Sequence, residues 1–266
     1  MLNVAMCGAS GRMGRAIVPL VMAREDMRLS GALAAPDDRA VGSDAGVLAG
    51  VAAAGFGIAS DPAVALAEAQ VAIDFTLPGP TLIHARLCRE LKCAMVIGTT
   101  GFDAEAEAEL REIASEVPIV LAPNMSLGVN LMLKLAELAA RALSDDYDAE
   151  IFEAHHRSKV DAPSGTALGL GRAVASGRAI DLEQMAVYAR EGNTGPRERG
   201  SVGFSVMRGG DIVGEHRLIF AGPGEQVEIA HRAQDRSGFA RGAVAAAGWV
   251  AGKKPALYSM FDVLGL

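Results

Sequence analysis

Tryptophan occurs once and cysteine three times in 266 residues, and aromatic residues make up only 5% of the chain. The cysteines, Cys7, Cys88 and Cys93, form neither a CxxC pair nor a zinc-ligand spacing. A thiol-built metal centre and a disulfide framework are therefore not expected, and no metal is assigned. A small, odd cysteine count suits a reducing compartment, so the expectation is a cytoplasmic protein. No apolar run approaches the ~20 residues needed to span a bilayer. The opening stretch MLNVAMCGAS is too short and glycine-rich to read as a signal peptide. Positive charge is scarce too: 25 Lys and Arg stand against 32 Asp and Glu, a net charge of −7. No segment forms a basic arm, which argues against a nucleic-acid partner. Internal repeats and low-complexity tracts are also missing.

Half the residues are hydrophobic, enough to bury the core of one large or two modest domains. In the first half, short apolar runs alternate with helical patterns. LNVAMC (2–7), RLSGALA (28–34), FGIA (56–59), VAIDFT (71–76), CAMVIGTT (93–100) and PIVLAP (118–123) read as strands. The segments between them read as helices, with Ser60 or Asp61 capping one of them. That alternation implies βαβ units and a parallel sheet. After residue 126 the pattern changes to a long helix, a strand at YDAEIFEAHH and a glycine-opened helix. Residues 201–234 follow, reading as a three-strand antiparallel meander with hairpin signals at RGGD and GPGE. The expected fold class is α/β. A Rossmann-type parallel-sheet N-terminal domain is joined by an α+β C-terminal domain with a mixed, largely open sheet. The expected domains are 1–126 with 236–266, which reads as nucleotide-binding, and 127–235, the second domain.

CGASGRMG (7–14) joins the first strand to the first helix, with Gly8, Gly11 and Gly14 spaced G-x-x-G-x-x-G. Glycines in such a turn let backbone N–H groups and a helix N-terminus meet a pyrophosphate. The spacing departs from the common G-x-G-x-x-G pattern, and a tight turn without a ligand is the alternative. Ala34 and Ala35 stand where a ribose-reading side chain is usual, so NADH and NADPH both remain open. Arg12 and Arg39 tilt the reading slightly towards NADPH. Thr99, Thr100 and Asn124 follow later strands, where ligands of open α/β sheets bind.

The stretch EAHHRSKVDAPSGTA (153–167) concentrates two histidines, a lysine and a Pro-Ser-Gly turn. His155 and His156 are neighbours and cannot easily share a metal. With Arg157 and Lys159 they make a cationic cluster ahead of a helix that Ser164 or Thr166 can cap. A cationic loop aimed at a helix start is a carboxylate pocket in the making. Histidine shuttles protons near neutral pH, and lysine can polarise or protonate a nitrogen or oxygen.

This stretch resembles the signature of the dihydrodipicolinate reductase family. GASGRMG, IDFT, GTTGF, APNMSLGVN, GGDIVGEH and DVLGL match the family in the same order, so the resemblance covers essentially the whole chain. It implies a homotetramer and an NAD(P)H-dependent reduction of 4-hydroxy-tetrahydrodipicolinate, with loss of water, in lysine and diaminopimelate biosynthesis. It implies His155 as proton donor and acceptor and Lys159 as proton donor. It implies His156, Gly165 and Thr166 as substrate-binding residues. Gly8, Ala9, Ser10, Gly11, Arg12, Met13, Gly98, Thr99, Thr100, Ala122, Pro123, Asn124 and Met125 are implied to line the cofactor. Two other functions remain: a non-catalytic dinucleotide sensor, and a reductase of another small dicarboxylate.

Overall fold

The structure, a computed structural model, describes all 266 residues, Met1–Leu266. The chain divides into two compact units, Met1–Leu127 with Arg236–Leu266, and Gly128–Asp235.

The first unit begins with β1 (Leu2–Cys7), α1 (Arg12–Met22), β2 (Met27–Leu33), α2 (Ala45–Leu48), α3 (Pro62–Leu66) and β3 (Val71–Asp74). It continues with α4 (Pro78–Leu91), β4 (Ala94–Ile97), α5 (Ala104–Ala114) and β5 (Ile119–Leu121). The elements of the second unit follow: α6 (Leu127–Ala142), β6 (Asp148–His155), α7 (Gly165–Arg178), α8 (Leu182–Met185), β7 (Ala186–Val187), β8 (Val202–Arg208), β9 (Gly214–Gly222) and β10 (Glu225–Ala233). The chain then returns to the first unit as α9 (Ser237–Val250), β11 (Leu257–Tyr258) and α10 (Met260–Leu264).

The first sheet has six parallel strands in the order β11-β5-β4-β3-β1-β2. Every residue of VAID in β3 and AMVI in β4 is buried, as expected of parallel strands covered on both faces. Two apolar clusters provide that cover. One packs α1 and α9 residues such as Ile17, Val21, Ala243 and Ala247 against Val4, Met6 and Ile73. The other packs Ala85, Cys88, Leu110 and Ile113 of α4 and α5 against Ala5, Met95 and Ile97. Helix α9 lies so close that a side chain on Gly242 would meet the Met125 carbonyl at 1.7 Å. FGIA is not a strand of this sheet, contrary to the sequence expectation. It makes only isolated bridges, Ala59 to Leu33 and Gly57 to Asp44. Asp61, not Ser60, caps α3.

The second sheet runs β10-β9-β6-β8-β7. Strands β9 and β10 form the hairpin signalled by GPGE. The three-strand meander is corrected, because β6 inserts between β8 and β9 and pairs parallel with β8 and antiparallel with β9. RGGD is thus a crossover connection and not a hairpin. The core lies on one face, where Met132, Ala136 and Ala140 of α6 and Leu170 and Val174 of α7 cover Ile151, Phe204, Leu218 and Phe220. No helix is long and apolar enough to cross a membrane.

Candidate active site

In each unit a cluster of polar side chains stands at strand ends. In the first unit, Gly8 has φ +84°, and a Cβ there would sit 2.9 Å from the Phe75 carbonyl oxygen. A Cβ on Gly14 would lie 2.3 Å from the Gly8 oxygen. Gly11 opens α1 with no side-chain cap and no acidic residue in the first turn. The positive end of α1 is therefore not taken by a side chain of its own. Ser10 donates its hydroxyl to Asp38 Oδ2 at 2.6 Å, and Arg15 Nε donates to the Ser10 carbonyl at 2.9 Å. That Ser10 bond, then the Ala40 N–H, hold the Asp38 carboxyl below its usual range. Ala9 is buried in the core and Met13 packs against it, whereas Arg12 is exposed.

Behind this turn lies a buried network. Asp74, at the end of β3, is fully buried. Its Oδ1 accepts from the Thr76 N–H at 2.9 Å and from the hydroxyls of Thr76, Thr81 and Thr99 at 2.6, 3.1 and 3.2 Å. Its Oδ2 lies 2.6 Å from His84 Nδ1. Cys7, Asp74 and His84 have ligand atoms within 4.8 Å of one another, yet the carboxylate is already filled by these donors. Burial first, then the Asp74 charge, raise the Cys7 thiol well above its ordinary value, which leaves it unreactive. Thr99, expected at the cofactor, turns its hydroxyl into this network, while Thr100 is exposed. Gly98 leaves room for the Phe75 ring, which a Cβ would meet at 2.2 Å. Asn124 Oδ1 accepts the Ser126 N–H at 2.9 Å. Pro123 is exposed, but Ala122 and Met125 are core residues. The sequence reading did not name Asp74, Thr81 or His84; a buried acid closing an apolar strand is the signal for them.

In the second unit the cluster stands where β6 ends at His155 and the chain turns through His156 to Lys159. The Lys159 N–H donates to the His156 carbonyl at 3.1 Å. His155 Nδ1 lies 2.6 Å from Glu153 Oε2. Lys159 Nζ donates to Asp161 Oδ1 at 2.7 Å. Ser164 caps α7: its hydroxyl accepts the Ala167 N–H at 3.2 Å and lies 3.1 Å from His216 Nε2. Gly165 and Thr166 form the first turn of α7, at the positive end of a fourteen-residue helix. The His155 and His216 rings meet edge-on at 5.1 Å. Burial lowers the proton affinity of His155, and the Glu153 carboxylate partly restores it. For His216, burial and then the neighbouring His155 lower the pKa to about 4. The structure thus brings His155, Lys159, Gly165 and Thr166 to one strand end, with His156 beside them. It adds Arg208 and His216, to which the stretches RGGD and GGDIVGEH gave no site role, because they come from β8 and β9, distant in sequence from His155.

Comparisons with known proteins point one way. The family model described as dihydrodipicolinate reductase, N-terminus, matches residues 2–125, and the one described as dihydrodipicolinate reductase, C-terminus, matches residues 128–264. The 4-hydroxy-tetrahydrodipicolinate reductase of Alkalilimnicola ehrlichii is 54% identical over 264 residues, which are 99% of this chain and 99% of the relative. That of Nitrosomonas europaea is 52% identical over 265 residues, 100% of this chain and 98% of the relative. A solved structure, the dipicolinate-bound dihydrodipicolinate reductase from Paenisporosarcina sp. TG-14, matches with a TM-score of 0.78 at 26% identity and covers 98% of each chain.

Proposed function

Because the chain belongs to the dihydrodipicolinate reductase family, we propose that it reduces 4-hydroxy-tetrahydrodipicolinate to tetrahydrodipicolinate, with loss of water, using NAD(P)H. The observation that carries this reading is the cluster at the end of β6. A histidine with one ring nitrogen committed to a carboxylate stands with Lys159 beside the helix start at Gly165. The ligand named for the Paenisporosarcina structure is a cyclic dicarboxylate. Its chemistry suits a cationic loop facing a helix N-terminus.

We assign the first unit to the dinucleotide and the second to the substrate. A pyrophosphate fits the turn at Gly8, Gly11 and Gly14, where the backbone tolerates no side chain at two positions and α1 is uncapped. Gly8 to Met13, Gly98 to Thr100 and Ala122 to Met125 would line it, with Thr99, Ala122 and Met125 contributing backbone. When bound, the reduced nicotinamide supplies a hydride. Gly165 and Thr166 hold a substrate carboxylate at the positive end of α7, and His156 balances its charge. Lys159 leaves Asp161 to donate a proton towards the ring nitrogen. His155 completes the proton transfer. Neutralising charge as it develops in a site of oriented donors is where the rate gain arises.

Asp38 bears on the choice of cofactor. A carboxylate fixed beside Ser10 suits a ribose hydroxyl and repels a 2′-phosphate, while Arg12, Arg15 and Arg39 attract one. These effects oppose each other, so both nicotinamides serve, with efficiencies within about tenfold, or about 1.4 kcal/mol. We propose further that the chain forms a homotetramer through the uncovered face of the second sheet. Phe152, Met207 and Ile219 share that face, and Met207 is 47% exposed.

Substitution tests the site. His155→Ala and Lys159→Met are each expected to lower turnover by about a hundredfold or more, with little change in cofactor affinity. Near-wild-type turnover in both would remove the assignment.

A further inference from the structure

Glu153 has a side chain only 1% exposed. A carboxylate so deep in a protein keeps its charge only when its lone pairs are taken by donors. Four donors meet it here. Oε2 faces His155 Nδ1 at 2.6 Å and Arg208 Nη1 at 2.8 Å. Oε1 accepts the Ser164 N–H at 2.9 Å and Arg208 Nη2 at 2.8 Å. The same Arg208 Nη2 donates to the Asp161 carbonyl at 2.7 Å. One carboxylate on β6 therefore grips the imidazole and the residue capping α7. Through Arg208 on β8 it also grips the loop between them.

We propose that Glu153 is the positioning residue of the proton-transfer step: it fixes His155 with the proton on Nδ1, leaves Nε2 as the reacting nitrogen, and sets the start of α7 relative to that imidazole. The proposal rests on the reading of His155 as proton donor and acceptor. An ionised carboxylate only accepts, so Nδ1 must donate to it. Nε2 is then the basic nitrogen of the neutral ring and the acidic one of the imidazolium. It borders Gly214, where a Cβ would lie 3.1 Å away, so the absent side chain keeps that approach open. Lys159, Arg208 from β8 and His216 from β9 also face the ring, and His231 on β10 pairs with His216. Burial, Lys159 and Arg208 work against protonation of His155, and Glu153 works for it. Glu153 itself would be raised by burial, but Arg208, His155 and the Ser164 N–H more than offset this and hold it ionised.

The first test needs no substitution in the measured protein. Long-range ¹H–¹⁵N spectra of the full chain labelled at its five histidines report each ring's tautomer, with His155→Ala assigning the resonance. The expected result is Nδ1–H with Nε2 unprotonated; an Nε2–H tautomer overturns the proposal. The second test is Glu153→Gln, which keeps the shape and removes the charge. Turnover is expected to fall about ten- to a hundredfold, as for residues that orient a reacting imidazole, with the KM for the nicotinamide unchanged. Without the anion, His155 loses its proton at lower pH. The high-pH limb of kcat is therefore expected to move down by about one unit. Wild-type kcat and pH profile in Glu153→Gln, while His155→Ala is inactive, overturn the role of Glu153 and leave the function intact. Full turnover in His155→Ala overturns both.

Discussion

His216 gives the second unit a pH dependence of its own. It is 5% exposed, its Nδ1 has no partner, and its pKa lies at about 4. In the unfolded chain the same imidazole takes a proton near pH 6.5. Between these values the unfolded state binds more protons than the folded one. The stability that comes from keeping the ring neutral is therefore full above pH 6.5 and is lost as pH falls towards 4. The loss is at most about 3 kcal/mol from this residue, and His155, lowered in the same direction by burial, adds to it. Urea unfolding at pH 7 and pH 4.5 checks this; an unchanged midpoint would contradict it. His155, Lys159, Ser164 and Gly165 were legible in the sequence because they lie within a few residues of one another, so local turn and cap chemistry brings them together. Arg208 and His216 stand in the quoted stretches RGGD and GGDIVGEH, but their place in the cluster was not legible, because they reach it only through the pairing of β6 with β8 and β9. Met125, Ala122 and Thr99 carried no sequence sign that their side chains turn inward.

Strand pairing is where the sequence pattern misled. The signals at RGGD and GPGE look alike, but only GPGE closes a hairpin. The arrival of β6 between β8 and β9 is a long-range choice that no local turn residue records. FGIA likewise has the apolar content of a strand but finds only single bridges. The parallel first sheet was readable because its short, largely apolar strands alternate with helices, and the glycine turn at Gly8 sits at a strand end. The second sheet leaves one face without helices, and Phe152 lies on that face of β6. If this face joins the subunits, the wild-type chain sediments as a tetramer, and Phe152→Glu sediments as a smaller species with its secondary structure intact. A monomeric wild type would contradict the assignment of this face.

For the whole molecule, the division into two units matches a division of chemistry. The first gathers a glycine turn, an uncapped helix start and Asp38. The second gathers the imidazole, the ammonium and the helix start at Gly165. The first cluster by itself suits a dinucleotide sensor as well as an enzyme; the second gives a reason for turnover. The most direct measurement is the oxidation of NADH and of NADPH by the purified chain with freshly prepared 4-hydroxy-tetrahydrodipicolinate. Rapid oxidation of both is expected, with kcat/KM values within about tenfold of each other. Cofactor binding without oxidation of either nicotinamide would contradict it.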